Sequence, residues 1–234
     1  MRIKLTALTV GALAVLAGAS AQAAPIPVAT YTFQAQDDVN AFQRVEGAKC
    51  KRKWAGNQAL GITVGRDTNV CSFRTSVVGD SSATYADLGM VATVSTSRGT
   101  KKLQRKSFAG IVVRRSDNAG YILRVLPNAH KWQYFRDPKG TAGPKLEAAG
   151  SGKFIRGGGK PNTLSLRAFA RGGTTTSLVG SVNGHGVVSA TDGAADQPDG
   201  RQTAVTTGAK GSGAGTGILG VFDNVVVQVP NPYG

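Results

Sequence analysis

The chain has 234 residues, and its 28 lysines and arginines outnumber 13 acidic side chains, a formal net charge of +15. This length suits one sandwich-type domain and is sufficient to bury a core without a dense set of disulfides. The excess of positive charge favours an anionic partner. Beyond the N-terminal segment, no stretch is long and apolar enough to anchor the chain in a membrane.

The first 23 residues predict a secretory signal peptide. Arg2 and Lys4 precede an apolar run over 5–19, and the tripeptide Ala-Gln-Ala at 21–23 matches the small-x-small cleavage pattern. The run is shorter than the roughly 20 residues that span a bilayer. We therefore expect residues 24–234 to form a single exported domain, periplasmic or extracellular. Its formal charge would be 28 − 2 − 13 = +13.

Cys50 and Cys71 are the only two cysteines. Export to an oxidising compartment predicts a disulfide between them. A loop of this size would stabilise the fold by about 3 kcal/mol in the chain-entropy model. A metal or redox role is disfavoured because the chain has no Cys-x-x-Cys motif.

After the signal segment, short runs rich in valine, isoleucine, threonine and aromatic residues recur between glycine, asparagine, aspartate and proline. Helical periodicity is almost absent, which argues against alternating strands and helices. The pattern predicts an all-β protein, an antiparallel two-sheet β-sandwich. The predicted strands are 30–33, 59–64, 70–77, 83–95, 108–115, 121–125, 131–136, 163–170, 177–182, 187–190, 217–221 and 223–229, with a brief one near 203–206.

Arginines interrupt the apolar runs of the predicted hairpin GIVVRRSDNAGYILRV at 110–125. Side chains alternate between the two faces of a strand, so Arg114 and Arg115 point to opposite faces if the strand is regular. By the same alternation, the next predicted strand places Trp132, Tyr134 and Arg136 on one face.

Four motifs occur in an order typical of one superfamily. They are FAGIVVRRSDNAGYILRV (108–125), NTLSLRAF (162–169), SVNGHGVVSATD (181–192) and GILGVFDNVVVQVP (217–230). The set resembles the concanavalin A-like jelly-roll superfamily, nearest to its laminin-G-like branch and to secreted domains related to 3-keto-disaccharide hydrolases. The resemblance covers most of residues 30–230 and implies a jelly roll with a sheet face that commonly binds glycans.

Catalytic signatures are weak. Glycosidases commonly need two carboxyl groups across the scissile bond, and the laminarinase-type jelly rolls place Glu-x-Asp-x-x-Glu on one strand. This chain has only Glu46 and Glu147, far apart, so that arrangement is missing. A pair formed in three dimensions, for instance between Asp117 and Asp192, stays open. No Gly-x-Ser-x-Gly elbow predicts a serine hydrolase.

Metal binding has one candidate segment, TDGAADQPDG at 191–200. Asp192, Asp196 and Asp199 are hard oxygen ligands of the kind that calcium takes. Their spacing fits no defined calcium loop, and aspartate with glycine is common in turns. The prediction is no cofactor, with calcium as the alternative.

Sugar binding needs aromatic faces and polar groups for hydroxyls. Neighbouring strands supply both, and we predict a ligand-binding site without catalytic residues. An alternative is that the aromatics pack in the core and the arginines cover them. The predicted site residues are Arg114, Tyr121, Arg124, Trp132, Tyr134 and Arg136.

The basic clusters at 49–53 and 101–106 indicate a glycan or another anionic envelope polymer as partner. Nucleic acid is disfavoured by the signal peptide and by the scarcity of aromatics among the basic residues. We therefore predict secreted, lectin-like, non-catalytic recognition of extracellular or envelope glycan, acidic glycans included. The alternatives are a glycoside-processing hydrolase related to the 3-keto-disaccharide hydrolases and a structural or adhesive surface protein.

Overall fold

A computed structural model describes residues 24–55, 58–65, 68–75, 87–97, 104–116, 119–140, 143–171, 174–209 and 218–229. The predicted signal peptide at 1–23 lies outside these ranges, as do residues 101–103 of the second basic cluster and Asp117. The described elements are β1 (Ile26–Tyr31), α1 (Gln36–Asn40), β2 (Phe42–Glu46), β3 (Lys51–Ala55), β4 (Ala59–Thr63), β5 (Val70–Thr75), β6 (Leu88–Ser97), β7 (Ser107–Arg115), β8 (Gly120–Leu126), a 3-10 turn (Pro127–Ala129), β9 (Lys131–Asp137), β10 (Lys145–Ser151), β11 (Asn162–Arg171), β12 (Thr175–Val182), β13 (His185–Asp192), β14 (Gln202–Ala209) and β15 (Leu219–Val229).

These strands form two antiparallel sheets, as the sequence predicts. The eight-stranded sheet has the order β13-β12-β11-β6-β15-β4-β3, and β1 also pairs with β15. The seven-stranded sheet has the order β10-β9-β8-β7-β14-β5-β2. Strands distant in the sequence become neighbours, which is how a jelly roll brings residues from both ends of the chain onto one sheet.

The core lies between the sheets and follows the two-residue period of the strands. On β7, Ala109, Ile111 and Val113 face the core, and on β8 the core side chains are Tyr121, Leu123 and Val125. Alternate residues point to the other face of the same sheet. The intervening side chains therefore form the outer face of the seven-stranded sheet.

Three strands at the sheet edges have no counterpart among the strands predicted from the sequence. β2, β3 and β10 were not predicted, and they carry mostly exposed residues, as in the Lys145–Ser151 strand. Edge strands with solvent on more than one side lack the alternation of apolar and polar residues that marks a half-buried strand. The two predicted strands at 217–221 and 223–229 form one strand, β15, with an irregular register after Asp223.

The predicted disulfide between Cys50 and Cys71 is present, and both cysteines are buried. It ties the connection before β3, in the eight-stranded sheet, to β5 in the seven-stranded sheet. The bond therefore links the two layers at the end of the sandwich that carries β2.

Within the described ranges, no helix has the length and apolar character needed to cross a membrane.

Candidate functional site

A groove of about 390 Å³ crosses the outer face of the seven-stranded sheet. Its walls come from strands at both sides of the sheet, from β2 to β9, and from the connection that follows β9. Outer-face residues of six neighbouring strands thus converge on one cavity. The polar and charged lining consists of Glu46, Ser72, Arg115, Arg124, Asp137 and Thr206.

Arg124 lies between two aromatic rings in this groove. Its guanidinium carbon is 4.2 Å from the ring centroid of Phe108 and 4.2 Å from that of Phe135. Its Nε donates to Oε1 of Gln133 at 3.0 Å. Burial lowers the pKa of Arg124 to about 10, so the group remains charged at neutral pH. The result is a flat, cationic stack.

Gly110 makes room for that stack. It lies opposite Arg124 in the β7–β8 ladder. A Cβ at this position would lie 2.7 Å from Cβ of Arg124 and 2.6 Å from the carbonyl oxygen of Leu123. Glycine therefore allows the Arg124 side chain to cross β7 toward Phe108.

Two carboxyl groups face the same groove. Asp137 ends β9, and Glu46 ends β2 at the opposite side of the sheet. Burial raises the pKa of Asp137 to about 6, Arg115 opposes the shift, and the nearby Glu46 carboxylate adds to it. Ser72 Oγ donates to Glu46 Oε2 at 2.8 Å. The groove thus combines two cations with two electrostatically coupled carboxyl groups.

No protein-family model matches the sequence, and no curated protein matches it. Solved structures do. The endo-1,3-β-glucanase of Streptomyces sioyaensis superposes with a TM-score of 0.62 at 14% identity, over 89% of this chain and 97% of that one. The carbohydrate-binding module CBM66 of Bacillus subtilis gives 0.55 at 14% identity, over 80% and 95%. The PL-14 alginate lyase of Aplysia kurodai gives 0.56 at 12% identity, over 88% and 100%.

The fold of this chain is an antiparallel jelly-roll β-sandwich, as in these structures. Identities this low establish the fold alone, and the predicted nearness to 3-keto-disaccharide hydrolases stays a prediction. The residues of this jelly roll must therefore carry any functional argument.

The predicted site residues divide into three places in the jelly roll. Trp132, Tyr134 and Arg136 share one face of β9, as expected, but that face is the inner one. Tyr134 is 3% exposed and belongs to the core, and Trp132 packs against the core. Trp132 and Tyr134 therefore follow the alternative stated from the sequence, that the aromatics pack in the core.

Arg114, Tyr121 and Arg136 join a buried polar cluster between the sheets. Tyr121 Oη donates to Asp192 Oδ2 at 2.9 Å, and Arg136 Nε donates to the same oxygen at 2.6 Å. Arg114 donates to the Thr176 hydroxyl on β12. The pKa of Tyr121 is raised, first by burial and then by its bond to Asp192. Of the six predicted residues, the groove lining includes only Arg124.

A β-bulge explains why Arg115, and not Arg114, lines the groove together with Arg124. The stretch of β7 from Val112 to Arg115 has one residue more than the stretch of β14 that pairs with it, Gln202 to Ala204. Arg114, which lies in this stretch, has a φ of 51°. In a regular strand, Arg114 would share the outer face with Gly110 and Val112. The extra residue shifts the alternation by one position, so Arg115 takes the outer face.

The aspartates of the segment 191–200 form ion pairs with basic side chains of the same chain. Asp192 and Asp196 both pair with Arg136, and Asp199 pairs with Lys139 at 2.5 Å. Among the described residues, no group of three or more histidines, cysteines and acidic residues could hold a metal ion. The aspartates thus fasten this segment to the β9–β10 connection, where Lys139 N also donates to the Asp196 carbonyl at 2.9 Å.

Four residues of the groove lining are not among the site residues predicted from the sequence: Glu46, Arg115, Phe135 and Asp137. One available signal was the short connection at 127–130, because a tight hairpin there sets Arg124 opposite Gln133. Side chains alternate along β9, so Phe135 and Asp137 lie on the same face as Gln133 and therefore as Arg124. No comparable signal pointed to Glu46, which lies on an unpredicted edge strand.

Proposed function

We propose that this protein recognises glycan chains in the groove on the outer face of the seven-stranded sheet. The Phe108–Arg124–Phe135 stack carries the proposal, because buried Phe108 holds the partly exposed Arg124 and Phe135 side chains in the groove, beside hydrogen-bonding groups of both charges. A sugar ring presents apolar C–H faces and a rim of hydroxyls, and pockets of this mixed character suit such ligands. Hydrogen bonds from ionised groups are the stronger ones.

Anionic glycans are the proposed ligand class. Arg115 and Arg124 line the groove, and the whole chain carries a formal charge of +15. Structures of the same fold are named for a carbohydrate-binding module, a 1,3-β-glucanase and an alginate lyase, which supports carbohydrate as the ligand. Of the residues predicted from the sequence, Arg124 is proposed as a direct contact, and Arg114, Tyr121 and Arg136 as supports behind the groove.

The proposal includes export as a single domain over residues 24–234 after removal of residues 1–23. The Cys50–Cys71 disulfide supports an oxidising compartment, where such bonds persist.

Affinity electrophoresis tests the proposal. The mature chain is run in gels that contain polygalacturonate, alginate, laminarin or dextran, and retardation by the two anionic polymers is expected. Arg124→Leu should weaken binding at least about 10-fold, because a hydrogen bond to a charged group contributes about 1.5–3 kcal/mol. Arg105→Leu, which removes an exposed arginine before β7, is the matched control and should bind normally.

Retardation by none of the four polymers would overturn glycan recognition. Retardation by laminarin or dextran but not by the acidic polymers would overturn the anionic preference. An Arg105→Leu effect as large as that of Arg124→Leu would show that general charge, and not the groove, binds the polymer.

A further inference from the structure

The groove brings together two carboxyl groups that no local sequence pattern connects. Glu46 comes from β2 and Asp137 from β9, with four strands between them in the sheet. Both side chains line one cavity, and the Glu46 carboxylate acts electrostatically on Asp137.

The two groups have different surroundings. Oδ1 of Asp137 is buried and accepts no hydrogen bond from the described residues, which disfavours its ionised form. Glu46 is exposed, and Ser72 donates to its Oε2. No hydrogen bond from a described residue occupies Oε1 of Glu46. A buried carboxyl with a raised pKa beside an exposed one is an arrangement that acid–base catalysis uses.

We propose that the groove hydrolyses the glycan that it binds, with Asp137 as the general acid and Glu46 as the general base. This inference rests on the proposed function, because it needs a glycan chain in the groove. It takes up the glycoside-processing alternative stated from the sequence and assigns it to two carboxyl groups that lie on different strands.

The chemistry balances with water as the only co-reactant. Asp137 gives its proton to the glycosidic oxygen as the bond from that oxygen to the anomeric carbon breaks, and the bonding electron pair goes to the leaving oxygen. Glu46 takes a proton from a water molecule whose oxygen bonds to the anomeric carbon. Asp137 ends ionised and Glu46 protonated, and exchange with solvent restores both. Arg115, close enough to oppose the pKa shift of Asp137, stabilises the Asp137 carboxylate formed in the step.

The test measures reducing ends released from whichever of polygalacturonate, alginate, laminarin and dextran the mature chain binds. Asp137→Asn and Glu46→Gln are expected to lower the rate about 10²- to 10⁴-fold, with glycan binding within a few-fold of wild type. Activity of the wild type should fall as the pH rises through about 6, where Asp137 loses its proton.

Two matched controls make the same change of charge at residues outside the groove lining. Glu147→Gln changes an exposed glutamate on β10, and Asp223→Asn changes an aspartate on the eight-stranded sheet. Both should retain full activity. Urea unfolding of each variant confirms that it is folded.

Binding without release of reducing ends would overturn the hydrolysis and leave recognition intact. Full activity in a folded Asp137→Asn or Glu46→Gln variant would overturn the roles assigned to these residues. Failure of the wild type to bind any of the four polymers would instead remove the proposed function and this inference with it.

Discussion

Asp137 shows how a single residue acquires functional character from its position. It is the last residue of β9, with one carboxyl oxygen buried and the side chain facing Arg115 and Glu46. Burial favours the neutral form more than Arg115 favours the charged one, and the pKa rises to about 6. The folded protein therefore binds this proton more tightly than the unfolded chain does.

This shift predicts a pH-dependent effect of Asp137→Asn on stability. A raised pKa contributes stability at low pH that is lost as the pH rises from about 4 to about 6, and the asparagine does not titrate. The free energy of unfolding of the variant, relative to wild type, should therefore increase between about pH 4 and pH 7. Urea unfolding across this range measures it.

Asp223→Asn is the control, because it removes a carboxylate from the other sheet. Its pH curve measures how much of the change comes from losing a carboxylate as such. Parallel pH curves for Asp137→Asn and wild type would contradict the assigned environment of Asp137.

At the scale of elements, the bulge in β7 decides which arginine lines the groove, and the end of β13 holds the polar side chains behind it. The bulge at Arg114 directs that arginine toward Thr176 between the sheets and leaves the outer face to Arg115. Asp192, which is 8% exposed, then accepts from both Tyr121 and Arg136. The cluster couples β8, β9 and β13 behind the groove.

Asp192→Asn should therefore destabilise the protein markedly. It removes the negative charge that faces Arg136 in a buried site, and we expect a loss of about 2 kcal/mol or more in the free energy of unfolding. The midpoint of urea unfolding measures the change. Asp199→Asn, which breaks the exposed pair with Lys139, should cost at most about 0.5 kcal/mol. Equal losses in the two variants would contradict a structural role for the cluster.

At the scale of the whole molecule, the charge balance sets the conditions for binding. The sequence carries 28 basic and 13 acidic side chains, and the groove itself holds Arg115 and Arg124. Long-range attraction between exposed charges is screened over about 10 Å at 0.1 M salt, whereas contacts in a partly buried groove are screened less.

Affinity for polygalacturonate should consequently fall as the salt concentration rises from about 50 mM to about 300 mM, without vanishing. Retardation in gels with increasing salt measures the decrease, and any binding to dextran should remain constant. Salt-independent binding of polygalacturonate would show that charge does not contribute to recognition.

Much of the fold was predictable because its causes are local. Alternating apolar residues and turn residues located the hairpin of β7 and β8, and two cysteines in a chain with a predicted signal peptide indicated the disulfide. The edge strands β2, β3 and β10 were not predicted because exposed strands lack the alternation of apolar and polar residues. Glu46 was not predicted as a site residue because it lies on β2. The predicted binding face of Trp132 and Tyr134 rests on their alternation with Arg136. KWQYFRD has aromatic and charged residues on both faces, so alternation alone does not say which face is inside.

The amino-acid sequence by itself therefore determined the fold class, the antiparallel strands and the Cys50–Cys71 pairing, since these follow from periodicity and composition along short stretches of chain. Only the tertiary structure decided which arginine and which carboxyl groups share a cavity. The bulge at Arg114 shifts the alternation by one residue, and the meeting of Glu46 with Asp137 depends on a strand order that no local pattern encodes.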